Sequence, residues 1–266
     1  MKALYLLLNT AQALFLLFWS LLWISLALVV MALTLNPAVP LAMARRFWAP
    51  GLLTFAFAKL QLAPLPDVDW AKPHVFVMNH QSMIDIPFAF AAIPANLQFI
   101  AKHSLKYVPF LGWYMWATGM VFVKRSDRSR SMKSISEAGA RIRAGTNILA
   151  FPEGTRSKTG EVLPFKKGVF VLALEAGVPV VPVAIENSWR VLPTGTFSIR
   201  PGTVRMKIGR PIPTAGRSVD DRDALAKEVR EAIVQLKREL EDAQNRGARA
   251  RPVRGELSGS VPSPSR

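Results

Sequence analysis

Asn79-His80-Gln81-Ser82-Met83-Ile84-Asp85 follows directly on the apolar run Val75-Phe76-Val77-Met78, and the chain resumes as Ile86-Pro87-Phe88-Ala89-Phe90. A short β-branched and aromatic run, a polar break and a new apolar segment read as a buried strand, a turn and a helix start. The polar heptad therefore stands at a strand end. On a regular helix five residues turn through about 500°, so His80 and Asp85 would point roughly 140° apart and need the turn to meet. Once they meet, the carboxylate holds one ring nitrogen, selects the tautomer and leaves the other nitrogen free to accept a proton. That is half of an acyl-transfer site. The same residues also fit a plain helix N-terminus capped by Asn79 or Ser82, with His80 a turn residue.

Working outward, apolar strand-like runs alternate with helical patterns from His74 onward. Strands are predicted at Val75 to Met78, Met120 to Val123, Asn147 to Phe151, Val180 to Ile185 and Thr203 to Ile208. Helices are predicted at Ile86 to Ile93, Arg130 to Ala144, Lys166 to Ala176 and Asp221 to Ala243. The alternation predicts an α/β fold, a mixed and partly parallel sheet flanked by helices. In the last helix Leu225, Val229, Ile233, Leu236 and Leu240 recur every three or four residues. Its acids stand at the start and Lys237 and Arg238 near the end, as the helix dipole favours.

Ahead of this body lies an N-terminal hydrophobic, membrane-anchoring helical region. No charged side chain falls between Lys2 and Arg45, and Leu4 to Leu35 is apolar except for Asn9, Thr10, Gln12, Ser20, Ser25 and Thr34. A spanning helix needs about 20 such residues, and a secretory signal only about 7 to 15. Ala42-Met43-Ala44 resembles a cleavage site, but the length favours a retained anchor that spans or folds back within one leaflet. Leu41 to Leu62 mixes Arg45, Arg46 and Lys59 with aromatics and predicts a second, interfacial helix, equally compatible with a core helix. The basic residues follow the anchor, so the positive-inside tendency places the body on the cytoplasmic side of the inner membrane. Residues 1–63 are thus expected to be the anchoring helices and 64–245 the α/β domain. Residues 246–266, rich in Arg, Pro, Ser and Gly, are expected to be a disordered basic tail.

Composition narrows the chemistry. Among 266 residues, 34 Lys plus Arg face 18 Asp plus Glu, a formal charge of +16 that calls for an anionic partner: nucleic acid, an acidic membrane or a phosphorylated substrate. Cysteine is absent, which excludes a disulfide, a cysteine nucleophile and a zinc–thiolate site. The histidines His74, His80 and His103 are too few and scattered to predict a metal centre.

Further stretches carry chemistry. Lys102 closes Phe99-Ile100-Ala101, and Tyr107 to Trp116 is dense in aromatics that suit a membrane interface, a hydrocarbon channel or a core helix. Gly119 to Arg125 delivers two cations, Lys124 and Arg125, to a strand end. Phe151-Pro152-Glu153-Gly154-Thr155-Arg156-Ser157 is another strand end. Its Gly154 lets backbone approach a ligand, and the planar fork of Arg156 suits a phosphate. Glu153 and Arg156 are equally placed for a structural ion pair. Val178 to Val183 is a buried strand whose prolines restrict its pairing. No nucleophile elbow or phosphate loop occurs. Ser82 is too close in sequence to His80 and Asp85 to be oriented as a nucleophile between them.

In order and spacing, Asn79 to Asp85, Gly119 to Arg125, Phe151 to Ser157 and Val178 to Val183 resemble the four blocks of the glycerolipid acyltransferase family, most closely its bacterial 1-acyl-sn-glycerol-3-phosphate acyltransferases. The resemblance implies acyl transfer from acyl-CoA or acyl carrier protein to the sn-2 hydroxyl of a lysophospholipid, forming phosphatidic acid. It implies no metal and no cofactor beyond the thioester donor. Its partners would be the lysophospholipid, the donor and membrane lipids rather than nucleic acid. By similarity His80 is the general base and Asp85 its orienting carboxylate. Arg156 would hold the acceptor's phosphate, Glu153, Gly154 and Thr155 would shape its turn, and Arg125 and Lys102 would add charge. Ser104 departs from the family, where many relatives carry Glu. Two rival readings share parts of this pattern: the same chemistry on glycerol 3-phosphate or a lyso-ornithine lipid, and a non-catalytic, membrane-anchored basic binding protein.

Overall fold

Seven strands form one sheet in the computed structural model, which describes residues 2–124 and 137–249. Arg125, residues 130–136 of the expected helix and the tail from 250 lie outside the described residues. The strands are β1 (Ala58–Leu62), β2 (Val75–Met78), β3 (Leu97–Lys102), β4 (Val121–Val123), β5 (Asn147–Ala150), β6 (Val180–Glu186) and β7 (Gly202–Ile208). Their order is β1-β7-β6-β2-β5-β3-β4, and every pairing is parallel except β6 with β7. The expected mixed, partly parallel sheet is present. Helices α1 (Lys2–Thr34), α2 (Ala38–Met43), α3 (Ala49–Phe55), α4 (Asp85–Ala92), α5 (Leu111–Ala117), α6 (described over 137–143), α7 (Gly168–Ala176), α8 (Ser188–Val191) and α9 (Arg222–Arg249) complete the described elements.

The pleat divides the core. Phe76 and Met78 of β2 face one cluster with Phe88, Phe99, Val181 and the N-terminal helices. Val75 and Val77 face the other with Ile142, Phe170, Leu172, Leu225, Val229 and Ile233. Successive strand residues point to opposite faces, so a strand covered on both sides must be apolar throughout. β2 is buried at all four positions. The predicted face of α9 packs as the spacing required, with Leu225, Val229 and Ile233 fully buried.

Two sequence readings are corrected. Leu41 to Leu62 is not one helix: α2, a π-helical turn at Ala44–Trp48 and α3 are followed by β1, which pairs in parallel with β7. This edge strand lies on the N-terminal side of the expected 63/64 division, and its partner is remote in sequence. β3, absent from the predicted strands, lies between β5 and β4. Pro182 restricts the pairing of β6 without confining it to an edge, and β6 pairs with both β2 and β7. Val180 N–H donates to Ile212 O, so Pro182, two residues on, lacks its donor on that same side and not toward β2.

α1 has an inverted relation to the body. Three of its polar residues turn inward: the Asn9 amide exchanges hydrogen bonds with the Ile199 backbone at 3.2 and 3.3 Å, Gln12 Nε2 donates to Phe55 O at 2.8 Å, and Ser20 Oγ accepts from Trp48 Nε1 at 3.2 Å. Leu6, Leu7, Leu14, Leu17, Phe18, Leu22 and Leu33 point outward and are exposed. A helix that exposes its apolar side is stable where the surroundings are apolar. Leu6–Thr34, a run of 29 residues, is long and apolar enough to cross a membrane. Close packing against α3 depends on Gly51, where a β-carbon would lie 2.3 Å from Trp19 Cζ2.

Candidate active site

Because β2, β5, β3 and β4 run parallel, their C-terminal ends share one edge of the sheet, where open α/β sheets bind ligands. Asn79 and His80 leave β2, Phe151 to Ser157 leaves β5, and Lys102 ends β3. The strand end is locked from below. Asn79 Nδ2 donates to Ile185 O at 3.0 Å, and Ile185 N donates back to Asn79 Oδ1 at 2.8 Å. This buried amide substitutes for ladder bonds where β2 stops.

The turn brings His80 and Asp85 together. Nδ1 of His80 lies 2.7 Å from Asp85 Oδ2, and the same oxygen accepts from Gln81 N at 2.7 Å and Ser82 N at 2.8 Å. Asp85 opens α4 and folds back over the turn, so the carboxylate also sits at the positive end of the helix. An oxygen that takes two backbone N–H groups acts as acceptor, so Nδ1 carries the proton and Nε2 keeps its lone pair. Asp85 is fully buried and the His80 side chain is 14 % exposed. The ring stacks on Phe151 with centroids 4.0 Å apart, which sets its plane. Ser82 Oγ donates to Leu192 O at 2.6 Å and is committed away from the imidazole.

The β5 loop closes the other side. Glu153 Oε1 accepts from His80 N at 2.9 Å and Ser157 N donates to His80 O at 2.8 Å, so both backbone polar groups of His80 are held by this loop. Burial pushes the Glu153 carboxyl up to about 7, against the pull of the His80 and Leu163 amides. Gln81 Nε2 donates to Gly160 O at 3.0 Å, tying the far end of the loop to the histidine's neighbour.

A cavity of about 500 Å³ opens from this edge. His80, Gly154, Thr155, Arg156 and Lys102 line it, and Trp23, Ala27 and Met43 of the N-terminal helices contribute apolar wall. The structure thus brings together His80, Asp85, Gly154, Thr155, Arg156 and Lys102. Glu153 does not line the cavity; it lies behind His80, is 4 % exposed and, among the described residues, has no ion pair with Arg156. Arg125 lies outside the described residues. Of the aromatic segment, Tyr114 is buried in the cavity wall while Tyr107, Trp113 and Trp116 point out and are exposed. The sequence offered Asn79 only as a helix cap and gave Gln81 no role, because their partners lie 106 and 79 residues away.

A His–Asp pair and a loop arginine thus meet at an apolar cavity beside the ends of parallel strands. Residues 59–186 match the family model described as Acyltransferase. Two relatives are 1-acyl-sn-glycerol-3-phosphate acyltransferases. The Saccharomyces cerevisiae protein is 36 % identical over 172 residues, covering 64 % of this chain and 57 % of its own length. The Homo sapiens beta form is 36 % identical over 156 residues, covering 58 % of this chain and 56 % of its own length. The chain therefore spans less than two thirds of these relatives. The crystal structure of the 1-acyl-sn-glycerophosphate (LPA) acyltransferase PlsC from Thermotoga maritima superimposes with a TM-score of 0.75 at 29 % identity. That match covers 93 % of this chain and 98 % of that one.

Proposed function

We propose that the protein transfers a fatty acyl group from acyl-CoA or acyl carrier protein to the sn-2 hydroxyl of 1-acyl-glycerol 3-phosphate, forming phosphatidic acid. The observation that carries this reading is the 2.7 Å His80–Asp85 contact on the wall of an apolar cavity that also holds Arg156. Nε2 of His80 takes the proton of the acceptor hydroxyl as its oxygen attacks the thioester carbonyl, and Asp85 stabilises the imidazolium formed. Collapse of the tetrahedral intermediate breaks the C–S bond, and His80 returns the proton to the departing thiolate. No acyl-enzyme and no cofactor is needed, since the hydroxyl itself is the nucleophile. Arg156 binds the acceptor's phosphate by charge-assisted hydrogen bonds, with Gly154 and Thr155 shaping its turn and Lys102 and Arg125 adding positive charge. Glu153 acts by holding the His80 backbone. The cavity's apolar wall takes a fatty acyl chain.

The outward apolar side of α1 supports a site held at a bilayer surface, with the helices ahead of β1 as anchor and the sheet from β1 onward as catalytic body. By the distribution of basic residues this is the cytoplasmic face of the inner membrane. The test is acyl transfer by purified protein in detergent, with palmitoyl-CoA, oleoyl-CoA or acylated carrier protein offered to lysophosphatidic acid, glycerol 3-phosphate and lyso-ornithine lipid. Turnover with lysophosphatidic acid, reduced on the order of a hundredfold or more in His80→Ala, is expected. Turnover confined to another acceptor would overturn the substrate assignment, and turnover with none would overturn the enzyme.

A further inference from the structure

Lys166 stands 13 residues beyond Glu153 in the chain but lies across the same turn as Arg156. At Gly154, whose φ is +68°, a β-carbon would lie 2.9 Å from both Cε and Nζ of Lys166. Glycine is demanded by its backbone conformation, while the flexible end of the lysine lies over it. The lysine's own backbone is tied to the turn, with Lys166 N donating to Pro152 O at 2.8 Å. Its neighbour Lys167 is committed elsewhere, 2.7 Å from Asp223. Lys166 is exposed and has no ion pair among the described residues. Gly154 and Arg156 both line the cavity, and Lys166, outside that lining, crosses the same turn at Gly154.

We propose that Lys166 is a further cationic contact for the acceptor's phosphate, beside Arg156, and makes the site selective for a phosphomonoester over a phosphodiester. The inference rests on the acyl-transfer reading above. A phosphomonoester carries about −1.5 to −2 charge at pH 7, its second pKa being about 6, whereas a diester carries a single charge. One guanidinium meets the single charge in bidentate fashion. A second, point-like ammonium gains most from the extra charge of the monoester.

The experiment is steady-state acyl transfer in detergent by wild type, Lys166→Gln and Lys166→Arg, with 1-acyl-glycerol 3-phosphate as monoester and 1-acyl-glycerophosphoethanolamine as diester. KM is read for each acceptor, or Ki where a lipid is not turned over. In Lys166→Gln the monoester KM should rise roughly tenfold, the change carried by one charge-assisted hydrogen bond, with kcat and the donor and diester constants unchanged. Lys166→Arg should recover most of that rise. Lowering the pH from 7.5 to 5.5, which turns the monoester into a monoanion, should erode wild-type selectivity and leave Lys166→Gln flat. An equal KM rise for both lipids, a fall confined to kcat, or no change would overturn the role of Lys166 while leaving the enzyme intact. A wild type that acylates neither lipid would overturn both readings.

Discussion

Replacing Asp85 with Asn isolates the charge in the His80–Asp85 pair. Asp85 Oδ2 meets His80 Nδ1 at 2.7 Å and the Gln81 and Ser82 amides at 2.7 and 2.8 Å, and the residue is fully buried. An asparagine oxygen in the same place still accepts from the two amides, so the turn keeps its shape, but the negative charge is gone. When His80 takes the acceptor's proton, the imidazolium then faces a neutral amide. With charge centres about 4 Å apart and an effective dielectric constant of about 20, the lost interaction is about 4 kcal/mol, on the order of a thousandfold in rate. The expected result is a kcat down by about that factor, with KM for donor and acceptor little changed, because neither lipid is bound by the carboxylate. The assay is release of free CoA thiol at saturating lysophosphatidic acid, beside a thermal melt to show that the variant folds. A folded Asp85→Asn protein within about tenfold of wild-type kcat would refute the general-base argument.

Two further perturbations test the scaffold. The Glu153 carboxyl is raised from 4.5 to about 7 by burial, so the unfolded chain ionises first as pH rises. Stability from this group is complete below about 4.5 and is lost as pH rises through about 7, a change of about 3 kcal/mol by linkage. Glu153→Gln keeps an oxygen for the His80 amide, and its Tm should therefore fall less between pH 5 and 8 than that of wild type; parallel curves would contradict the assignment. Gly51→Val would push a side chain into Trp19, where even a β-carbon comes within 2.3 Å. It should cost about 1 to 3 kcal/mol through overpacking, read as a lowered Tm in detergent, and an unchanged melt would show that the helices do not meet there.

Much of the fold is legible locally. Val75 to Met78, Val121 to Val123, Asn147 to Ala150, Val180 to Glu186 and Gly202 to Ile208 are short apolar runs bounded by turn residues, and all five are strands where they were expected. β1 was not legible. Ala-Lys-Leu-Gln-Leu at 58–62 continues an aromatic and basic pattern that suits a helix, and it becomes a strand because β7, more than 140 residues away, offers it a parallel edge. β3 was lost for a related reason: Leu97–Lys102 is apolar but short, and only its place between β5 and β4 makes it a strand. Pairing between distant segments outweighs local propensity.

The site divides along the same line. The sequence alone placed His80 and Asp85 five residues apart at a strand end, and Arg156 in a second strand-end loop. Spacing within one turn is local, and a strand end is where a buried chain must turn polar. Tertiary structure alone decided that Glu153 holds the His80 backbone rather than lining the cavity. It also decided that the amides of Asn79 and Gln81 lock remote segments beneath the histidine, and that α1 turns Asn9, Gln12 and Ser20 toward the body. Each of these contacts joins residues dozens to nearly two hundred positions apart. Such partners are chosen by sheet order and by the need to satisfy every buried polar group, conditions set only when the whole chain has packed.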